Sequence, residues 1–142
     1  MGERLKGTCL CGACTFTAVP GAEAGVCHCG MCRKWSGGML IVADCGDSLV
    51  FDDGAPVVRY SSSDWGERAF CGKCGSSLAW MSKDGSMAVA SIQAFEDPSR
   101  FRISTQICID RKPDNYALAN ETATETEAEL FAKFAPSTES DA

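Results

Sequence analysis

Eight of the ten cysteines in this 142-residue chain fall in clusters. Cys27-His28-Cys29-Gly30-Met31-Cys32 sets three thiols in the spacing C-x-C-x-x-C, and Cys9, Cys11 and Cys14 repeat it. Cys71-Gly72-Lys73-Cys74-Gly75 adds a C-x-x-C pair much later. Side chains alternate along an extended backbone, so the two thiols of each C-x-C share a face. The C-x-x-C-G turn, with glycine permitting the tight backbone, brings another sulfur to the same point. Convergent thiols of this kind prepare a soft, tetrahedral metal site, and the metal they favour is zinc. A free thiol, with a pKa of about 8.5, is mostly protonated at neutral pH. A zinc-bound one is deprotonated outright. A centre with three protein thiolates and one free position therefore suits the capture of a small thiol as its thiolate.

Arithmetic on the eight clustered cysteines allows two closed four-cysteine sites, which would be inert and structural. It equally allows one closed site and one open one, and spacing alone does not choose. His28, the one histidine, sits between two candidate ligands. Period-two alternation points it away from the metal, as a hydrogen-bonding neighbour or a surface residue. Arg33 and Lys34 follow the middle cluster directly, and a guanidinium suits the carboxylate of an anionic thiol. Trp35 reads as core, and Arg68 as structural. Cys45 and Cys108 stand alone in apolar strand contexts and read as small buried hydrophobes.

Composition narrows the partners. At 15.1 kDa, with 45% hydrophobic and 23% charged residues, the chain has the make-up of one soluble domain. A net charge of −6 and a pI near 4.7 disfavour a nucleic-acid surface. No apolar run approaches the roughly 20 residues of a membrane helix. Met1-Gly2-Glu3-Arg4-Leu5-Lys6 leads into no apolar stretch of a secretory leader. The expectation is a cytoplasmic protein, where clustered cysteines bind metal rather than form disulfides. No Ser/His/Asp set, phosphate loop or dinucleotide fingerprint is present.

The elements that must position these thiols are mostly strands. Residues 1–8 read as a polar lead-in, and Thr15–Val19, Met39–Ala43 and Val57–Tyr60 as short strands. Ser77–Met81 and Met87–Ile92 flank Asp84-Gly85 and read as a hairpin with a loop longer than two residues. Phe101–Ile103 and Gln106–Ile109 follow Asp97-Pro98. Seven or eight strands, with almost no helical periodicity before residue 120, predict an all-β assembly. In the tail, Thr124/Glu127 and Thr126/Glu129 both fit a capping box, with Leu130, Phe131 and Phe134 on one helical face. The division expected is a zinc-binding β domain over 1–119 and a packed C-terminal helix over 120–142, frayed from Ser137.

Three blocks, Gly7-Thr8-Cys9-Leu10-Cys11-Gly12-Ala13, Cys27 to Gly37 and Arg68 to Leu78, together with Ile109-Asp110-Arg111-Lys112-Pro113, resemble the glutathione-dependent formaldehyde-activating enzyme (GFA) family. The likeness covers nearly the whole chain in order. It implies a β-tent, that is, small antiparallel sheets built around zinc knuckles, with two zinc ions per chain. It further implies that Cys9, Cys11, Cys71 and Cys74 share a structural zinc, while Cys27, Cys29 and Cys32 hold a functional one with its fourth position free. The activity implied is a carbon–sulfur lyase acting on glutathione, or a related small thiol, and formaldehyde. Cys14 departs from the family pattern, as a buried hydrophobe or as an extra ligand that closes a site. The alternative reading is a non-catalytic binding module in which both metals are structural.

Overall fold

The computed structural model describes residues 2–134. In chain order its elements are β1 Leu5–Thr8, β2 Thr15–Ala18, β3 Glu23–Cys27, α1 Gly30–Ser36, β4 Leu40–Gly46, β5 Val50–Phe51, β6 Val57–Ser61, β7 Gly66–Cys71, β8 Ser77–Ser82, β9 Ala88–Ser91, β10 Arg102–Ile107, β11 Ala123–Glu125 and α2 Glu127–Phe134. The protein is mainly β, as its alternation predicts. The chain divides into two compact units, Met1–Ala24 with Ile41–Arg102, and Gly25–Leu40 with Ile103–Ala142.

In the first unit β1, β2 and β5 form a three-stranded sheet, with Leu5 opposite Ala18 and Phe16 opposite Phe51. β2 reads Thr-Phe-Thr-Ala, and its period-two pattern buries Phe16 and Ala18 completely. The Phe16 ring meets Phe51 and Phe95 edge-on, each at 5.6 Å. β4, β9, β8, β7 and β6 run as successive antiparallel neighbours, so the chain from Val57 to Ser91 is a meander. The β8–β9 connection is the longer loop foreseen from Asp84-Gly85. The Asp84 carboxylate accepts from Ser82 Oγ, Ser86 N and Ser86 Oγ at 2.7–3.0 Å. β1 is a strand where a polar lead-in was expected. Its Gly7 allows the Phe16 ring to lie where a Cβ would otherwise stand 2.2 Å away.

The second unit carries two departures from the expected pattern. α1 is a seven-residue helix absent from the sequence reading, because its N-cap is Cys29 rather than Ser, Thr, Asp or Asn. Gly37 ends it in the left-handed conformation, at φ 83°, donating its N–H to Arg33 O. Thr124 belongs to β11, which pairs in parallel with β10 in the register Gln106 opposite Thr124. The Thr124/Glu127 box is therefore not formed. The Thr126/Glu129 box is: Glu129 N donates to Thr126 Oγ1 at 3.1 Å, and Thr126 N to Glu129 Oε1 at 2.8 Å. On the expected apolar face of α2, Leu130 is half-buried and Phe131 49% exposed. Polar ties also hold the helix, through Glu127 N to Asp110, Arg111 to Glu127 and Lys133 to Glu125. The frayed tail expected from Ser137 lies outside the described residues.

Candidate metal centres

Each unit assembles one group of thiols. In the first, the sulfurs of Cys9, Cys11, Cys71 and Cys74 all lie within 4.8 Å of one another. Two tight turns build the group. Cys9 N donates to Cys14 O and Gly12 N to Cys9 O, around Gly12 at φ 85°. Cys71 N donates to Ser76 O and Gly75 N to Cys71 O, around Gly75 at φ 82°. Positive φ at both positions is what glycine supplies without a Cβ clash. The turns leave backbone N–H groups pointing at sulfur. Cys14 N reaches Cys9 Sγ at 3.3 Å, while Lys73 N and Cys74 N reach Cys71 Sγ at 3.3 and 3.4 Å. Cys74 Sγ contacts Ser76 Oγ at 3.2 Å, and that hydroxyl bond is the leading reason its thiol falls to about 5.

The donor set fits zinc in size as well as type. A tetrahedron with Zn–S bonds of about 2.3 Å has sulfur–sulfur edges of about 3.8 Å. Cys9 and Cys11 stand 3.6 Å apart, and Cys11 and Cys71 3.9 Å. Both distances are far beyond the roughly 2.05 Å of a disulfide. Cys14 is fully buried and lies outside the group of four, its thiol pushed up to about 11 by burial.

In the second unit the group has three members, Cys27, Cys29 and Cys32. β3 delivers Cys27, and the start of α1 supplies the other two. Cys29 stands in extended geometry at φ −63°, ψ 156°, and its sulfur accepts from Cys32 N at 3.3 Å. The side chains of Cys27 and Cys32 hydrogen-bond to Cys29 and hold its thiol down to about 2, while the same sharing drives Cys27 upward. Three sulfur lone-pair sets thus crowd one point.

Around this group the sequence reading was uneven. His28 is fully buried, not at the surface, and lies outside the thiol group. Gln106 Nε2 donates to Thr122 Oγ1 at 2.8 Å, which turns Gln106 Oε1 toward His28 Nε2, also at 2.8 Å. Facing that oxygen, Nε2 is the donor, and the buried Nδ1 has no hydrogen-bond partner among the described residues. Arg33 Nε donates to His28 O at 2.9 Å, so part of its guanidinium braces the turn between the ligands. Lys34 is exposed, Trp35 half-buried and Arg68 buried. Cys45 is a buried thiol bonded to Ala43 O, as its apolar context suggests.

Cys108 is buried too, as its apolar context suggests, and its thiol is pushed up to about 11 by burial and by the charge of Cys29. It follows β10 at φ 55°, ψ 43°, alone among the described non-glycine residues in having positive φ. Gln106 and Thr122 escaped the sequence reading because they come together beside His28 only through the pairing of β10 and the bonds it permits. A polar glutamine in the apolar run Gln106-Ile107-Cys108-Ile109 was the one available signal.

The profile of the glutathione-dependent formaldehyde-activating enzyme family matches residues 4–111, which include both thiol groups. The chain belongs to this family. A curated relative from Schizosaccharomyces pombe, the uncharacterized lyase C29B12.13, is 31% identical over 128 residues, covering 89% of this chain and 93% of its own. A crystal structure of a Rhodobacter sphaeroides protein matches with a TM-score of 0.56 at 24% identity, covering 65% of this chain and 88% of that one. It supports the fold.

Proposed function

We propose that this GFA-family chain is a zinc-dependent carbon–sulfur lyase that takes glutathione, or a similar small thiol, at the Cys27–Cys29–Cys32 centre. There it forms or cleaves the adduct of that thiol with formaldehyde or another small electrophile. The observation that carries the reading is the asymmetry of the two groups, four mutually close sulfurs in one and three in the other. Four thiolates complete a zinc sphere, whereas three leave one position for a visitor. Zinc in the second group would hold the incoming sulfur as thiolate at neutral pH.

The remaining chemistry is small. The thiol sulfur bonds to the carbonyl carbon, the C=O π pair moves to oxygen, and the thiol proton ends on that oxygen; cleavage runs the same step in reverse. The chain's part is to hold the two reactants together. Arg33, braced at Nε by His28 O, keeps its Nη groups for a carboxylate of the thiol. A cytoplasmic setting accords with ten free cysteines, and no helix among the described residues is long and apolar enough to cross a membrane.

The test combines metal analysis with thiol titration. Native protein is expected to hold two zinc ions, with added glutathione perturbing only the Cys27 centre. Exchange NMR should show S-hydroxymethylglutathione forming or decaying faster with protein than without. A second reading is a binding module with two structural metals, in which the buried Cys108 thiol, close enough to feel the charge of Cys29, moves in as a fourth ligand. Glutathione would then perturb neither metal.

A further inference from the structure

We infer that the first unit carries a second binding site, a cleft between β5 and the β6–β9 meander that takes a straight-chain monocarboxylate of about eight to ten carbons. The inference is independent of the thiol-binding reading, since no cysteine lines the cleft.

Strand register creates the space. Residues directly opposite one another across an antiparallel pair share a face of the sheet. One row across the meander reads Ala43, Ala90, Ala79, Ala69 and Arg59, and the next Gly46, Ala88, Met81, Glu67 and Ser61. Alanine and glycine at most of these positions leave the sheet face low. Leu49 and Phe51 pack over it and remain half-buried, so they fill the space only in part. What is left is a cleft of about 410 Å³ over the second row, with Gly46, Ala88, Met81 and Glu67 along its floor. That size, with apolar walls and a few polar groups at fixed points, is the character of a small-ligand site.

The cations gather at one end. Arg59 Nη1 meets Glu67 Oε1 at 3.4 Å and Met81 Sδ at 3.6 Å, with the guanidinium carbon 5.7 Å from the centre of the Phe51 ring. Both contacts are long and use one nitrogen, so Nη2 and Nε remain to grip a carboxylate side-on. Lys83 Nζ bonds to Ser61 Oγ at 2.5 Å, on the same face of β6 as Arg59 and two residues along. Two cations against the Glu67 carboxylate leave this end one positive charge in excess, in a chain of net charge −6. An anionic head neutralises that excess without displacing Glu67, whereas a cationic head adds to it. The exposed Asp47 lies beside Gly46, three strands from Glu67 and about 14 Å away at the usual strand spacing. The head therefore belongs at the β6–β7 end, and the tail crosses Met81 and Ala88 toward Gly46. An extended chain of about ten carbons covers that distance. Met81 and Met87, unbranched and polarizable, adapt to a flexible tail.

The experiment uses the full zinc-loaded chain with decanoate, decanol and decyltrimethylammonium as probes, each below its micelle-forming concentration. Titration calorimetry reads the affinity, and amide NMR shifts locate the ligand. Decanoate is expected to saturate, to bind more tightly than either control, and to shift amides of residues 46–51 and 81–88. Arg59→Gln should weaken decanoate about ten-fold and leave decanol unchanged. Val50→Glu places a carboxylate on a wall position that is 56% exposed, and should weaken decanoate by repulsion even if Arg59→Gln disturbs β6. Decanoate that does not saturate, a cationic probe that binds as tightly, or an affinity unmoved by both substitutions would overturn the inference. So would amide shifts centred on the thiol groups, since decanoate would then be a zinc ligand. Each of these results leaves the thiol-binding reading as it was.

Discussion

Cys71→Ser should destabilise the protein far more than Cys29→Ser, although each removes one sulfur from one centre. The Cys9–Cys11–Cys71–Cys74 group ties residues 60 positions apart, as between Cys11 and Cys71. Treated as a cross-link, closure of a loop of that length is worth about 4 kcal/mol. The Cys27–Cys32 group spans only a few residues, for which the same relation gives about 2 kcal/mol. Cys71 is also fully buried and accepts two backbone N–H groups that a serine oxygen, with its shorter bond, would meet poorly. Cys71→Ser should therefore lower Tm by roughly 10–15 °C, and Cys29→Ser by about half as much. Thermal unfolding followed by circular dichroism, with zinc measured on the same samples, reads both. Equal shifts in the two variants, or a Cys71→Ser protein that keeps two zinc ions and melts near wild type, would refute the division of the centres into a long-range clamp and a local one.

Further expectations are independent of metal. Phe16→Ala removes a ring buried between Phe51 and Phe95 and should cost about 3–5 kcal/mol in urea unfolding. Gln106→Leu strands the buried His28 Nε2–H and should cost about 1–3 kcal/mol, whereas Thr122→Val, at a half-buried site, should cost less. Thr126→Ala opens the capping box of α2, and amide exchange should quicken in that helix with little change in the global melt. Asp84 is held down to about 2, chiefly by the Ser86 amide. A depressed carboxyl stabilises the fold above its unfolded value and loses that contribution as pH falls through its folded one. Between about pH 4 and pH 2, metal-free Asp84→Asn should accordingly lose stability less steeply than metal-free wild type.

The sequence reading succeeded where one residue type at fixed spacing carried the information. Cys9, Cys11, Cys71 and Cys74 meet as the family resemblance implied, and Cys14 stays out as a buried thiol. Strands with strict alternation, such as Thr15–Ala18, were found at nearly their true bounds. β1 was missed because Lys6, Gly7 and Thr8 carry no apolar signal, and only pairing with β2 makes them a strand. β11 was mistaken for a helix start because Thr124 is equally good as a cap and as a strand residue, and the parallel register with β10 decides between them. Phe131 lies on the expected helical stripe, but side-chain periodicity does not say whether a surface waits to cover it. The strand expected over Gln106–Ile109 stops at Ile107, because Cys108 takes the left-handed conformation.

The two centres differ in how their sulfurs are held, and this bears on which can exchange a ligand. In the first group the contacts come from turns at both ends of a long chain separation, with backbone N–H groups on Cys9 and Cys71 and a hydroxyl on Cys74. Removing one sulfur there would break the four-sulfur group that joins the two turns. In the second, β3 and α1 present all three sulfurs within six residues, and the chain around them is fixed by other means: His28 to Gln106, Arg33 Nε to His28 O, and Gly37 to Arg33 O. A centre whose frame does not depend on its metal can change coordination without unfolding. Mild chelation should therefore strip the Cys27 group first and leave the strand signal in circular dichroism intact, with iodoacetamide then labelling Cys29 before Cys71. Loss of strand signal with the first metal removed would mean that the second group is structural as well.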